Sequence, residues 1–291
     1  MLRRVDLPDL RRAIDATTAV AVSLGLAADD ATVLQNSNKL ALRLEPSGVM
    51  ARVAPVGQEV AQREIELALR LADLGAPVAA LAPRVDPLVH VRDGFAVTLW
   101  VYYEPAAPAV APDAYARALE RLHAGMRGVE GAFPRFTDRV AEAERVVDDP
   151  ALSPALPEAD RAFLGATLRR LHAAIEETGS EQLLHGEPHP GNLLSTHDGP
   201  RFIDLETCCL GPVEFDLAHT PDAVAERYQG VDHHLLDLCR QLVLAMVAAW
   251  RWEQRDQLPD GRWFGEELLR RLRAGPPWPT LDVVMRRPAG P

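Results

Sequence analysis

Leu40, Leu42 and Leu44 alternate with Lys39, Ala41 and Arg43, and Val49, Ala51 and Val53 alternate with Met50 and Arg52. Side chains of a strand point to opposite faces in turn, so each run predicts a β-strand with one apolar face. Between them lies Glu45-Pro46-Ser47-Gly48, where the fixed φ of proline and the freedom of glycine suit a turn, and the segment reads as a β-hairpin. Upstream, a helix is expected from about Pro8 to Leu24, stopped by Gly25. Downstream, Gln58 to Leu74 reads as a helix with Leu67, Leu71 and Leu74 on one face, closed by Gly75 and Pro77. Two short strands are expected near Val85–Val91 and Ala96–Tyr102.

The period then changes. Pro105, Pro108 and Pro112 lie in an alanine-rich stretch that reads as a connection between domains. Helices are expected at about Asp113–Ala124, Thr137–Val147 and Glu158–Glu177, the last with Leu164, Leu168, Leu171 and Ile175 in one apolar stripe. Next come a strand, a loop, a second strand, an Asp198-Gly199 turn and a strand at Arg201–Ile203. The remainder is helical, most clearly from Asp232 to Arg255. The fold class is therefore α+β, with a small β-rich lobe at 1–104 and a larger helical lobe at 105–291. The hairpin of the second lobe is expected near the connection. No internal repeat is visible.

The chain has 291 residues and a formal net charge of -11. Residues 1–104 hold 13 acids and 11 bases, which leaves 29 acids and 20 bases for the rest. That balance argues against nucleic acid and anionic membrane as partners. It is compatible with a cationic small molecule, though a solubilising surface explains it more simply. The longest apolar run, Leu242–Trp250, is too short to cross a bilayer, and the first residues lack the apolar core of a signal peptide. Cys208, Cys209 and Cys239 are odd in number and two are adjacent, which points to a reduced, cytoplasmic protein. Lys39 is the single lysine, a bias that fits a GC-rich genome.

Chemistry concentrates in His185-Gly186-Glu187-Pro188-His189-Pro190-Gly191-Asn192, followed by Ile203-Asp204-Leu205-Glu206. The frame histidine-x-acid-x-x-x-x-asparagine, with an aspartate after a short hairpin, is the spacing of a kinase active site. Phosphoryl transfer needs an acid beside the acceptor hydroxyl and hard oxygen ligands for Mg²⁺ at the phosphates. Glu187, Asn192 and Asp204 supply that set, on a loop that Pro188 and Pro190 stiffen and Gly191 allows to bend. The rival chemistry is zinc on His185, Glu187 and His189. Zinc deaminases with this histidine-x-glutamate also need a Pro-Cys-x-x-Cys segment, which the chain lacks.

The segments Leu184–Leu194, Phe202–Glu206 and Gly211-Pro212-Val213-Glu214-Phe215-Asp216-Leu217-Ala218 resemble the aminoglycoside phosphotransferase family, whose fold is protein-kinase-like. Asn38–Val53 is similar to its first nucleotide-covering hairpin, and Arg63-Glu64-Ile65-Glu66 to the start of its pairing helix. The resemblance implies a two-lobed fold and an ATP- and Mg²⁺-dependent transfer to an alcohol of a small molecule, an aminoglycoside-like antibiotic or a related metabolite, with GTP as the alternative nucleotide. The N-terminal lobe would bind the nucleotide, and the C-terminal lobe would carry the catalytic loop and the acceptor site. By that resemblance Glu187 takes the catalytic-base position, with His185 and Asp216 as braces of the loop. Asn192 and Asp204 take the magnesium positions, and Arg52 the place of the phosphate-contacting lysine. Glu64 would pair with Arg52, with Glu66 as second choice. Trp100, Val101 and Tyr102 would form the hinge against adenine. The resemblance leaves a monomer or a homodimer open.

Two positions depart from that family's pattern. Arg52 replaces a point charge by a planar fork. Glu187 replaces aspartate, which lengthens the arm by one bond of about 1.5 Å. The second departure motivates an alternative, a pseudokinase that binds nucleotide or ligand without efficient transfer. A protein kinase is disfavoured, because no Gly-x-Gly-x-x-Gly, Asp-Phe-Gly or Ala-Pro-Glu segment is present. Lys39 reads as a solvated strand residue, and His123 and His172 as solvated residues late in helices. His189 is open between loop packing and a contact with substrate or phosphate. Trp250, Trp252 and Trp263 could line a substrate pocket, but core packing is the simpler reading.

Overall fold

The two leucine- and valine-rich runs become β2 (Leu40–Pro46) and β3 (Val49–Pro55), paired antiparallel with Leu44 opposite Val49. They are the centre of a five-stranded antiparallel sheet that also holds β1 (Ala28–Asn36), β4 (His90–Arg92) and β5 (Phe95–Val101), in the order β1-β2-β3-β5-β4. The computed structural model describes residues 7–36, 39–56, 60–106, 109–179 and 181–285. Asn38, Gln58 and Pro108, named in the sequence-based reading, lie outside them.

The chain divides into two compact units, Met1–Ala109 with Leu194–Glu206, and Val110–Leu193 with Thr207–Pro291. The first therefore takes in most of the hairpin β7 (Leu193–Thr196) and β8 (Gly199–Phe202), which the division at 104/105 assigns to the helical part.

In the first unit, α1 (Leu7–Ser23) packs Ala13, Ala16, Val20 and Ala21 against Leu40, Leu42, Leu44, Val49, Ala51 and Val53. Period two then turns Met50 and Arg52 to the opposite face of β3, away from that core. The following α2 (Val60–Asp73) buries Ala61, Glu64, Ile65, Ala68 and Leu71, a stripe at helical spacing with one carboxylate in it. Leu74 lies past the helix end and is exposed, contrary to its expected place on the apolar face, because the chain leaves the helix at Gly75 with φ 72°. Phe202 donates its N–H to Pro77 O at 2.8 Å and accepts from Ala79 N at 2.9 Å, which ties β8 to the stretch after α2.

The second unit is built from α3 (Pro112–Met126), α4 (Phe136–Asp148), α5 (Glu158–Glu176), α6 (Val213–Leu217), α7 (Asp222–Ala225), α8 (His233–Arg251), α9 (Gly261–Ala274) and α10 (Leu281–Met285). The predicted stripe of α5, Leu164, Leu168, Leu171 and Ile175, is fully buried. Each such side chain contributes about 1.5–3 kcal/mol by leaving water. A short ladder pairs β6 (Gln182–Leu184) with β9 (Cys209–Gly211), bracketing the segment from His185 to Asn192. All three cysteines are buried thiols. Among the described residues no helix is long and apolar enough to cross a membrane.

Candidate active site

The site residues fall into two sets, one in each unit. In the first, Arg52 reaches from β3 to two acids. Nη1 pairs with Glu64 Oε1, and Nη2 donates to Asp204 Oδ1 at 2.7 Å. Glu64 Oε1 also accepts from Leu205 N at 3.1 Å, so the buried carboxylate holds the turn that carries Asp204. Glu66 faces outward and accepts from Gln62 Nε2 at 3.2 Å. Burial opposes the charge of Arg52, but Glu64 and Asp204 outweigh it and raise its pKa.

Lys39 is a correction to the sequence reading. It is not a solvated strand residue; its ammonium pairs with Glu206 and lies 3.8 Å from Glu64 Oε2. Burial, with the nearby charge of Arg52, lowers its pKa to about 8 against the pull of Glu64 and Asp204. Two cations and three carboxylates thus share one cluster. The carboxylate oxygens of Glu64, Asp204 and Glu206 lie within 4.8 Å of one another. An all-oxygen donor set of this kind fits Mg²⁺, which prefers hard ligands. Asp204 has φ 65°, the left-handed region that aspartate and asparagine tolerate better than other side chains.

The proposed hinge residues lie at the end of β5. Trp100 is buried and its Nε1 donates to Thr98 Oγ1 at 2.9 Å, so its ring is part of the sheet packing. Val101 N donates to Ala80 O, and Tyr102 N to Gly48 O. The Tyr102 ring carries the Arg43 guanidinium at 4.3 Å.

In the second unit the segment that begins at His185 hangs on Asp216 of α6. Asp216 accepts from His185 N at 2.9 Å and from Gly186 N at 2.7 Å, and His123 Nε2 lies 2.9 Å from its Oδ2. Burial works against this carboxylate's charge, but the bond and charge of His123 and the backbone of His185 hold its pKa down. His123 is another correction. It is fully buried, bridging Asp216 and Tyr228 Oη, because α3 turns it inward. Gly186 has φ 86°, and a Cβ there would meet Thr207 O at 2.0 Å, so only glycine fits.

The loop then closes on itself. Glu187 O accepts from His189 N at 2.8 Å and from Asn192 Nδ2 at 3.0 Å. With its amide nitrogen so used, Asn192 keeps Oδ1 as its free acceptor type, an oxygen donor atom. His189 Nδ1 accepts from Gly191 N at 3.0 Å, and His185 Nδ1 from Glu187 N at 3.3 Å. These are loop-packing bonds. Among the described residues the one group of three or more metal-ligating side chains is Glu64, Asp204 and Glu206, so His185, Glu187 and His189 do not gather around a zinc site.

The Glu187 side chain meets Arg139 of α4 in an ion pair. Burial pushes its pKa up, but Arg139, with His219 adding to it, holds the carboxyl at about 2. His219 is itself buried, with neither ring nitrogen hydrogen-bonded among the described residues, and burial lowers its pKa to about 4. Sequence reasoning missed Arg139, Glu206 and His219. A signal existed for Arg139 alone: it falls on the same stripe of α4 as the buried Phe136, Val140 and Ala143, where an arginine requires a partner.

The sequence profile of the Phosphotransferase enzyme family matches residues 33–238. Among curated proteins no match was found. Among solved structures, a choline/ethanolamine kinase family protein from Mesorhizobium loti aligns with a TM-score of 0.66 at 16% identity, covering 94% of this chain and 98% of that one. Choline kinase LicA from Streptococcus pneumoniae aligns at 0.65 and 18% identity, covering 91% and 98%. Amicoumacin kinase hAmiN, in complex with AMP-PNP, Ca²⁺ and Ami, aligns at 0.68 and 12% identity, covering 92% and 96%. These likenesses show that the α+β fold is kinase-like. The family profile spans well over half of the chain, its matched segment contains Arg52, Glu64, Glu187, Asn192 and Asp204, and the chain is a phosphotransferase that belongs to this family.

Proposed function

We propose that the protein is an ATP- and Mg²⁺-dependent O-phosphotransferase that acts on a hydroxyl of a small molecule. The observation that carries this reading is the cluster of Arg52, Lys39, Glu64, Asp204 and Glu206, in which carboxylate oxygens suited to a hard cation stand beside a guanidinium and an ammonium group. Arg52 steadies the nucleotide phosphates, and Glu64 holds Arg52. Asp204 and Asn192 are the magnesium ligands. Magnesium, when bound, would neutralise charge on the phosphates. Trp100, Val101 and Tyr102 contribute backbone to the adenine side. The nucleotide is ATP, with GTP as the alternative.

The acceptor oxygen forms the new bond to the γ-phosphorus as the bond to the β–γ bridging oxygen breaks, ADP leaves, and the hydroxyl proton passes late to Glu187 and from it to solvent. Glu187 is ionised through the neutral range, so it accepts a hydrogen bond from the acceptor hydroxyl and orients it. A carboxylate with so low a pKa is a weak base. In a loose transition state the hydroxyl loses its proton late, so orientation is the larger share of its work. The structural neighbours suggest the first acceptors to test, amino alcohols such as choline and hydroxyl-bearing antibiotics such as amicoumacin.

A thermal-shift screen of those acceptors with ATP, with and without Mg²⁺, followed by ADP release, tests the reading. An acceptor that raises Tm and accelerates ADP formation supports it. ATP bound without any acceptor-dependent or Glu187-dependent ADP formation makes the protein a pseudokinase instead.

A further inference from the structure

Glu187 is longer than the aspartate of other kinase-type sites, and a longer, more flexible carboxylate loses more rotamer freedom when it is held still. Within its own unit this arm ends on a built partner. Arg139 pairs with Glu187 through Nη2, and its Nη1 donates to Gly186 O at 3.2 Å. Its guanidinium lies over the Trp250 ring of α8, 5.4 Å from the centroid. One planar fork therefore holds the carboxylate and the backbone just before it, and an indole shelf fixes the fork. Lysine could not do this with a single ammonium.

The cost of this arrangement argues for a purpose. Taking a guanidinium into a helix stripe of apolar residues is unfavourable, and an apolar pair of similar volume is often as stable as a buried ion pair. Arg139 is 17% exposed at its side chain, so little of that cost is relieved by water. What the pair secures is a fixed position for the 187 carboxylate.

We propose that Arg139 is a positioning residue matched to the glutamate, fixing its longer arm so that the carboxylate meets the acceptor oxygen in one place. This rests on Glu187 being the acceptor-facing acid. Arg139 is not a catalytic residue itself; it acts through Glu187, so its effect must vanish when Glu187 cannot act.

The test is a double-mutant cycle on the full chain, read as ADP formation from ATP and Mg²⁺ with water as the acceptor. Glu187→Gln, Arg139→Met, Arg139→Lys and the two doubles are compared with wild type for kcat, KM for ATP and Tm. Arg139→Met should lower kcat roughly tenfold to a hundredfold, the scale of a 1 Å misplacement, with KM for ATP unchanged. Arg139→Lys should recover part of that loss. In the Glu187→Gln background neither Arg139 substitution should lower kcat further. Equal falls in both backgrounds would overturn the inference while leaving the function standing. A Glu187→Gln variant as active as wild type would overturn the role of Glu187 and the inference with it. If Arg139→Met does not fold, Arg139→Lys alone completes the cycle.

Discussion

Arg52 Nη2 donates to Asp204 Oδ1 across 2.7 Å, joining two positions 152 residues apart in the chain. The residue proposed to steady phosphate and the residue proposed to hold metal thus neutralise each other, while Glu64 takes the other arm of the guanidinium. A cation that arrives at Asp204 competes with Arg52 for the carboxylate. A guanidinium released from that bond can turn to an anionic ligand. On the roles proposed for Arg52 and Asp204, this geometry would couple phosphate and metal binding.

Asp204→Asn keeps the left-handed backbone and the hydrogen bond but removes the charge that a metal needs. Stabilisation by AMP-PNP should then lose its dependence on Mg²⁺, with Tm in EDTA close to wild type. Titration calorimetry with and without Mg²⁺ checks this, and an unchanged Mg²⁺-dependent affinity would remove Asp204 from the metal site.

Arg52→Lys retains one positive charge but cannot bridge Glu64 and Asp204 at once. One of the two carboxylates is left under-paired, and where that is the buried Glu64 the cost is about 1–3 kcal/mol. We expect a lower Tm together with weaker AMP-PNP binding. Equal Tm and equal affinity would show that the fork is not needed.

Glu187→Asp retracts the carboxylate by about 1.5 Å and draws it away from Arg139. If the clamp suits glutamate, kcat falls, on the order of tenfold to a hundredfold, and KM for ATP stays the same. A rise in kcat would mean that glutamate is merely tolerated at this position.

Asp216→Asn removes the charge that receives His185 N, Gly186 N and His123. An amide can accept at only one of its two terminal atoms, so at least one buried donor loses its partner. Breaking a buried charged network of this kind costs about 3–5 kcal/mol. Urea denaturation should show that loss, accompanied by a fall in activity, since the segment that carries Glu187 is anchored here. A loss below about 1 kcal/mol would contradict the anchoring role.

His219 makes stability sensitive to acid. Its folded pKa, about 4 because of burial, lies below the ordinary histidine value of 6.5. Between those values the unfolded chain binds more protons, so stability is full above pH 6.5 and falls as the pH drops toward 4. Between pH 7 and pH 5 the loss from this one group is roughly 2 kcal/mol. His219→Phe, which keeps a planar ring edge-on to Phe215, should flatten that part of the profile. Denaturation at both pH values measures it; an identical slope in the variant would assign the acid loss to other groups.

Much of this protein is legible along the chain. The hairpin of β2 and β3, the apolar stripe of α5 and the spacing from His185 to Asp204 are local regularities, set by the periods of strand and helix and by the chemistry of a short loop. Other elements carry no local signal. β1 is an exposed edge strand of mostly polar residues, so no alternation marks it, and β9 is three residues long. Hairpin β7–β8 follows the catalytic segment in sequence, yet Phe202 bonds to Pro77 and Ala79, and most of the hairpin belongs to the first unit. The charges show the same division. Period alone turns Arg52 and Met50 away from the core, but only the folded chain pairs Lys39 with Glu206, His123 with Asp216 and Arg139 with Glu187. A sequence determines which face a side chain occupies, because that follows from backbone geometry within a few residues. Which buried charge neutralises which is decided by tertiary structure, because desolvation makes a charge depend on whatever distant segment is brought against it.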